Sequence, residues 1–248
     1  MSDSPPPGPV DVTFVLVEPE SPWNVGATAR VLANLGYQDL RVCGPDQPDW
    51  AQDPEARRMA HGALEILEQT RRHETLLEAV ADRSFLVGTS ARRREALESR
   101  PLDRSLVELV TPEARPALLF GNERSGLTNQ DLALCHEVIH IPTYGSQHSL
   151  NLSQAVLLVG FTLRSFAGPR PQGPVRTRPL QAQLEHAFAR LDEALDRLGL
   201  WRPGLEDRSR DHLRRILLRG VRTTAELGIV EGIAHRIRLH LDGQIPRE

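Results

Sequence analysis

Lysine is absent from this sequence: all 30 basic residues are arginine, and 33 acidic residues leave a formal net charge of −3. A functional explanation would invoke the bidentate recognition of phosphate by arginine. A compositional bias of the genome explains the absence as well, and we favour it. The overall charge therefore gives no indication of nucleic-acid binding.

Cysteine is scarce and long apolar runs are missing. The two cysteines, Cys43 and Cys135, lack metal-ligand spacing, so the sequence argues against a zinc site and predicts reduced core thiols in a cytoplasmic protein. The longest apolar run, nine residues from Ala155, is too short to span a bilayer, so no membrane is expected as a partner. The N-terminus lacks a signal sequence, and residues 1–10 are predicted to form a disordered tail.

Short β-rich runs alternate with helical stretches from Asp11 to about Phe166. The runs are mostly continuous in their apolar character, which is typical of strands buried on both faces of a parallel sheet. We therefore predict a three-layer α/β domain over residues 11–167, with ligands at the carboxyl ends of the strands. The predicted strands are 12–17, 40–43, 84–89, 117–121 and 138–142, and the predicted helices are 24–35, 53–63, 74–81, 102–110 and 149–166.

A smaller domain is predicted after a change in composition. Residues 168–179 are rich in proline, glycine and arginine and are typical of a linker. Apolar residues at three- and four-residue steps then predict helices over 184–198, 207–219 and 223–241, an all-α domain over residues 180–248. Because about 70 residues barely form a core of their own, this domain must pack on the first domain, on a second copy or on a partner.

The loop from Gly121 to Gly126 has the glycine spacing of a phosphate-binding loop, but Leu127 stands where such a loop has its lysine. Without that lysine, and without an evident carboxylate for magnesium, a triphosphate would stay unneutralised. The first strand leads into a segment without G-x-G-x-x-G, the nicotinamide-binding pattern. His148 and Ser149 are adjacent, so no Ser-His-Asp arrangement stands out.

Three segments place unusual residues at the ends of predicted strands. Arg30 lies among small and apolar residues in the first turns of a helix that Asn24 would cap. The polar run 122–124 lies between two glycines, which let the backbone approach a ligand closely. Asn151 and Ser153 open an otherwise apolar helix. A helix start, a turn and a capped helix would each explain one segment, but together they indicate a site.

The three segments resemble, in order, the three motifs of the SPOUT superfamily of RNA 2′-O-ribose methyltransferases. They are N-x-G-A-x-A-R-x-x-x-N-x-G from Asn24, F-G-N-E-R-x-G-L-T-N from Phe120, and I-P from Ile141 followed by S-L-N-L-S-Q-A-V from Ser149. The chain is most similar to the branch that methylates the anticodon loop of tRNA. The resemblance covers residues 12–166 and, less strongly, the helical extension 180–239.

This resemblance implies features that composition and periodicity do not show. The α/β domain of the family carries a trefoil knot at its C-terminal side, although knots are exceptional among proteins. The knot binds S-adenosylmethionine in a bent shape, and two protomers form a homodimer. The implied reaction is the 2′-O-methylation of a ribose in tRNA, at the pyrimidine of position 32 of the anticodon loop, with no metal required.

Individual roles follow from the matched positions. Arg30 matches the arginine at the reacting ribose, and Asn24, Glu123 and Asn151 match polar positions around it. Because guanidinium keeps its proton, we expect Arg30 to stabilise the developing 2′-oxyanion electrostatically and not to act as a base. The resemblance places eight residues against the cofactor, namely Thr89, Ser90, Ala91, Gly121, Ile141, His148, Ser149 and Leu150.

The chain departs from the family pattern in one motif. Pro19, Glu20, Pro22 and Trp23 replace the usual histidine-proline-glycine lead-in to the first motif, so the resemblance does not say how the nucleotide enters.

The C-terminal segment is close to neutral, with 12 basic and 11 acidic residues from Leu180 onward. Its basic residues concentrate on the second predicted helix, which favours a local RNA-binding stripe over a basic domain. The stripe comprises Arg208, Arg210, Arg214, Arg215, Arg219 and Arg222. Two other functions stay open on the sequence alone: a ribosomal-RNA 2′-O-ribose methyltransferase, and a non-catalytic RNA-binding protein of the same fold.

Overall fold

A computed structural model describes residues 11–91, 99–106, 110, 114–166, 178–201 and 206–243. The predicted N-terminal tail, part of the predicted helix over 102–110 and most of the predicted linker lie outside these residues. The chain divides into two compact units, Met1–Pro174 and Val175–Glu248. The domain boundaries at 167/168 and 179/180 stay predictions.

The first unit alternates strands with helices through its described residues. The strands are β1 (Thr13–Val17), β2 (Asp39–Cys43), β3 (Arg71–His73), β4 (Phe85–Thr89), β5 (Arg100–Pro101), β6 (Pro116–Phe120) and β7 (Glu137–His140). The helices are α1 (Pro22–Leu35), α2 (Pro54–Met59), α3 (Leu64–Glu68), α4 (Leu76–Val80), α5 (Asn129–Ala133) and α6 (Leu152–Phe166).

These seven strands form one sheet in the order β3-β2-β1-β6-β4-β7-β5, and every described pairing is parallel. All five residues of β1 are buried. Because successive side chains point to opposite faces, Phe14 and Leu16 enter one apolar core while Val15 and Val17 enter another. The sheet is therefore covered on both faces, and the predicted parallel α/β sheet is confirmed.

Helix α1 begins two residues before its predicted start. Pro22 occupies the first turn, where its fixed φ suits a helix and its missing N–H costs nothing. Ser21 is the N-cap residue but gives no side-chain capping bond, so the prediction that Asn24 caps the helix is wrong. The helix ends at Gly36, whose left-handed φ of 76° favours glycine.

Two other differences from the predicted elements have local causes. The helix predicted over 53–63 is shorter: α2 ends at Met59, a turn follows in which Gly62 has a φ of 80°, and a separate helix, α3, begins at Leu64. The edge strands β3 and β5 were not predicted, because Arg-Arg-His and Arg-Pro carry no apolar pattern.

Both cysteines lie in the core. Cys43 and Cys135 are buried and free. Burial raises the pKa of the Cys43 thiol to about 12 and also raises that of Cys135. Neither thiol is therefore a nucleophile near neutral pH.

An ion-pair network surrounds Arg41 of β2, which is only 1% exposed. Its guanidinium donates to Ala79 O at 2.7 Å and to the carboxylates of Asp39 and Asp82. Burial acts to raise the pKa of Asp82, but the hydrogen bond and charge of Arg41 outweigh it and hold that pKa below its ordinary value. Asp39 shows the same balance, with its pKa also lowered.

We expect this network to make stability fall in acid. Since folding lowers both pKa values, the stabilisation is present above the unfolded-state pKa of about 3.9 and is lost as the pH falls through the folded values. Asp82→Asn should be less stable at neutral pH and lose less stability on acidification than the parent. Urea unfolding from neutral pH down to about pH 1 measures both effects, since the loss is spread between the unfolded-state and the folded-state pKa values. The control is Asp49→Asn, an exposed carboxylate that accepts a turn bond from Ala51 N and makes no ion pair within the described residues. Parallel curves for the parent and Asp82→Asn would contradict the assignment.

The second unit consists, in its described part, of the helices α7 (Gln181–Arg197), α8 (Glu206–Gly220) and α9 (Thr224–Leu241). Their apolar faces meet in a core that includes Leu184, Phe188, Leu218 and Leu227. Among the described residues, no helix combines the length and apolar character needed to cross a membrane.

Candidate active site

The carboxyl ends of the parallel strands meet at one edge of the sheet and line a cavity of about 270 Å³. Thr89 ends β4, Gly121 follows β6, and Ile141 follows β7. The structure brings all eight residues of the predicted cofactor set to this cavity, which they line together with Glu123 and others. These eight are Thr89, Ser90, Ala91, Gly121, Ile141, His148, Ser149 and Leu150.

One wall of the cavity is the tight loop 121–126. A Cβ on Gly121 would lie 2.0 Å from Gly126 C and 2.1 Å from Leu127 N, so only glycine permits this approach of backbone to backbone. Gly126, at a φ of 67°, donates its N–H to Asn122 O at 3.0 Å. Asn122 Oδ1 in turn accepts from Ser125 N at 2.7 Å. Gly121 and Gly126 therefore allow the two ends of the loop to pack directly against each other.

Leu127 explains why the loop has no lysine at that position. Its side chain is 1% exposed and packs in the core on one side of the sheet. A charged ammonium there would be desolvated without a partner. The likeness to a triphosphate-binding loop is thus confined to the glycine spacing.

The carboxylate of Glu123 joins this loop to the start of α1. It accepts hydrogen bonds from Glu20 N at 3.0 Å, Ser21 N at 3.2 Å and Asn24 Nδ2 at 2.7 Å. The first amides of a helix lack intrahelical partners and carry a partial positive charge, so a carboxylate is stabilising there. Glu123 therefore accepts from the amide of the N-cap residue and from the amide before it, and its charge lies at the positive end of α1.

Asn151 extends the same chain of hydrogen bonds to the third motif. Its Nδ2 donates to Asn24 Oδ1 at 2.8 Å, and its Oδ1 accepts from Ser153 N at 3.0 Å and Ser153 Oγ at 2.8 Å. Asn24 is therefore held on one side by Glu123 and on the other by Asn151. The three predicted polar residues, more than 100 positions apart at their extremes, lie in contact.

Arg30 is placed differently from these three. It lies on α1 with an exposed side chain, and within the described residues it makes no hydrogen bond or ion pair. It does not line the cavity of the single chain, and the structure does not join it to Asn24, Glu123 or Asn151. An exposed guanidinium without a partner is available to an external anion.

The cavity fits S-adenosylmethionine in its chemistry. Ile141, Leu150 and Ala155 supply an apolar wall of the kind that suits a purine ring, and the glycine loop lets backbone amides and carbonyls face a ligand. Thr89 Oγ1 donates to Leu119 O at 3.0 Å, which fixes the end of β4. Over the described part of the chain, no cluster of three or more His, Cys, Asp or Glu side chains could hold a metal ion.

Sequence reasoning missed some residues of the site. Ser125 and Ala155 line the cavity, but no spacing singles them out. Arg124 Nε pairs with Glu20 Oε2 at 2.7 Å on the exposed rim, a contact between residues 104 positions apart that no local pattern reveals.

The predicted basic stripe of the second unit is only partly available. Arg210 pairs with Asp192 at 2.9 Å and Asp196 at 2.7 Å, and Arg214 pairs with Glu185. These arginines tie α8 to α7.

The guanidiniums of Arg208, Arg219 and Arg222 are exposed and have no ion pair among the described residues.

Comparison with known proteins gives consistent matches. Residues 11–161 match the SpoU rRNA Methylase family. The tRNA (cytidine/uridine-2′-O-)-methyltransferase TrmJ of Pectobacterium atrosepticum is 31% identical over 239 residues, covering 92% of this chain and 97% of that protein.

Solved structures give the same indication. The crystal structure of TrmJ from Z. mobilis ZM4 has a TM-score of 0.79 at 28% identity, covering 91% of this chain and 98% of that chain. The SpoU methyltransferase AviRb from Streptomyces viridochromogenes, in complex with the cofactor AdoMet, has a TM-score of 0.51 at 27% identity. This match covers 66% of the present chain and 62% of the AviRb chain.

Proposed function

Because the chain belongs to the SpoU rRNA Methylase family, we propose that it is an S-adenosylmethionine-dependent tRNA methyltransferase. Its reaction is the 2′-O-methylation of a ribose, and its target is the pyrimidine at position 32 of the anticodon loop. The TrmJ relative, which is aligned over nearly its whole length, carries the same class of activity in its name.

One observation carries the proposal. The eight residues that the family resemblance assigns to the cofactor come from three separate segments of the chain, and they line a single cavity. A hydrogen-bonded chain of Glu123, Asn24 and Asn151 connects that cavity to α1, which carries Arg30. An RNA-binding protein without catalysis has no need of such a pocket.

The mechanism assigns positioning to the three hydrogen-bonded polar residues and charge stabilisation to Arg30. S-adenosylmethionine, when bound, supplies an activated methyl group. Asn24, Glu123 and Asn151 hold the first turn of α1 against the wall of the cavity, which limits the freedom of the reacting groups. Arg30, exposed and permanently charged, stabilises the negative charge that develops on the ribose 2′-oxygen.

The homodimer and the trefoil knot belong to the same proposal. Helix α6 exposes Leu157, Leu158 and Phe161, an apolar surface suited to a second copy of the chain. A partner subunit there would adjoin α1, since α1 packs against α6. The knot rests on the resemblance to the family, in which the chain around the second and third motifs forms it; here the loops of those two motifs line the same cavity. We also place the enzyme in the cytoplasm, with no metal required.

The second unit contributes to tRNA binding through the unpaired part of its basic stripe. Arg208, Arg219 and Arg222 are free of ion pairs within the described residues, unlike Arg210 and Arg214. Three guanidiniums can contact phosphates without a basic domain, and such binding should weaken with salt.

The test is the purified full chain with S-adenosylmethionine, unmodified tRNA and, separately, ribosomal RNA. Mass spectrometry of nuclease digests should show a ribose-methylated pyrimidine at position 32 of tRNA and no methylation of ribosomal RNA. Methylation of ribosomal RNA alone would replace the proposed substrate. Binding of tRNA without any methyl transfer would overturn the enzyme assignment.

A further inference from the structure

Trp23 is exposed and yet fixed in place. The residue keeps 46% of its surface accessible. Its Nε1 donates to Glu55 Oε2 at 2.6 Å, and the guanidinium carbon of Arg58 lies 4.8 Å from the ring centroid. Both partners belong to α2. An exposed indole held by an edge hydrogen bond and a cation–π contact is already ordered before any ligand arrives.

The support beneath the indole is rigid. Gly26 of α1 faces Ala56 of α2 so closely that a Cβ on Gly26 would lie 2.1 Å from Ala56 O. Asp53 caps α2 by accepting from Glu55 N at 2.8 Å and Ala56 N at 2.9 Å. We call Trp23, Glu55 and Arg58 the Trp23 platform. It therefore moves only if the two helices move together.

The Trp23 platform lies on the face of α1 that carries Arg30. Seven residues are two helical turns, so the two side chains project in nearly the same direction, about 10 Å apart along the axis. Only the small side chain of Ala27 lies one turn from Trp23 on that face. Because all side chains of a helix lean toward its N-terminus, the two side chains lean the same way and keep this spacing.

An unpaired nucleotide matches this arrangement. Bases in single-stranded RNA loops stack on aromatic rings and on guanidinium planes. The spacing of about 10 Å corresponds to about three stacked nucleotides at ~3.4 Å each. The charges nearest the indole, Glu55 and Arg58, offset each other, so the ring offers its π-face in a locally neutral setting.

We propose that Trp23, backed by Arg58 and Glu55, is a stacking platform for an unpaired RNA base about three nucleotides from the ribose that Arg30 serves. The inference rests on the proposed function and adds a residue that binds substrate. Because every base has a π-face, this contact contributes affinity and placement, with little choice among bases.

Steady-state kinetics with tRNA tests the contribution to binding. Trp23→Ala should raise the KM for tRNA about tenfold with little change in kcat, since stacking on one base is worth that much or more. Trp23→Phe keeps an aromatic face and should retain most of the affinity. The matched control is Leu77→Ala, which truncates a side chain that is 43% exposed on α4 and should leave KM unchanged. A KM for Trp23→Ala equal to that of the parent would overturn the proposal.

Fluorescence tests the stack without relying on activity. In a Trp201→Phe background the remaining indoles are Trp23 and Trp50, and Trp50 is only 6% exposed. Titration with an anticodon stem–loop RNA should quench the emission in a saturable way, and the additional change Trp23→Phe should remove the quench. Quenching that follows protein concentration without RNA, with a weaker dimer in Trp23→Ala, would assign the indole to a protein contact and overturn the proposal.

The two proposals fail separately. A parent enzyme that methylates tRNA while Trp23→Ala matches it would refute the platform and leave the function intact. A parent that methylates nothing would refute the function, while the fluorescence titration would still decide whether the indole stacks on RNA.

Discussion

Arg30→Ala should abolish methyl transfer, lowering kcat by about 10²–10³-fold or more, the loss seen when a preorganised group that stabilises an oxyanion is removed. The affinity for S-adenosylmethionine should stay close to that of the parent, because Arg30 does not line the cavity. Stability should also be retained, since the side chain is exposed and makes no hydrogen bond or ion pair within the described residues. We therefore expect the substitution to lower the rate of methyl transfer and to leave cofactor affinity and stability close to those of the parent.

Single-turnover methylation of tRNA and calorimetric titration with S-adenosylmethionine separate the two effects. Arg72→Ala is the matched control, because Arg72 is an exposed arginine of β3 whose contact is a long hydrogen bond to Gln47 O at 3.4 Å. Arg30→Lys keeps the charge and loses the planar fork of donors, so partial activity would show that charge alone contributes. Turnover at the parent rate in Arg30→Ala would refute the role.

Gly121→Ala should destroy the cofactor site. The added methyl group would lie 2.0 Å from Gly126 C and 2.1 Å from Leu127 N, and both of these are backbone atoms that cannot rotate away. The loop must open, which removes one wall of the cavity and disturbs Leu127 in the core. We expect the free energy of unfolding to drop by about 2 kcal/mol or more, as in overpacked cores, and the binding of S-adenosylmethionine to be lost.

Urea unfolding and calorimetry at low temperature measure the two losses on whatever protein remains folded. Gly145→Ala is the control, because no atom lies within 4 Å of a Cβ placed on Gly145. Both variants add one methyl group to a glycine of a motif loop, so only the steric conflict differs. Unchanged stability and cofactor binding in Gly121→Ala would show that the loop closes in another way.

The sheet was largely predictable because continuous apolar runs such as β1 and β6 need two covered faces. The short polar strands β3 and β5 could not be predicted, because they form by pairing with β2 and β7 and have no apolar pattern of their own. The motif residues could be named from the sequence because they recur in fixed patterns. The contacts between these residues could not be predicted: Glu123 and Ser21 are 102 positions apart, and no local pattern shows that Glu123 accepts a hydrogen bond from the amide of Ser21.

The same limit applies to charge and to Trp23. Basic residues on α8 looked alike in sequence, but Arg210 and Arg214 are neutralised by acidic residues of α7, whose position depends on packing. Trp23 appeared only as a departure from the family's lead-in. Its contacts with Glu55 and Arg58 arise because Gly26 brings α1 and α2 together.

The hydrogen bonds of Glu123 have a thermodynamic consequence. They fasten the loop that walls the cavity to α1, the helix that carries Trp23 and Arg30. If one ligand displaces the loop or α1, the affinity for the other ligand changes as well. Linkage requires the two changes in affinity to be equal. Removing the Glu123 carboxylate should therefore weaken this coupling, and the bond from Asn151 to Asn24 would remain as the second connection between α1 and a loop of the cavity.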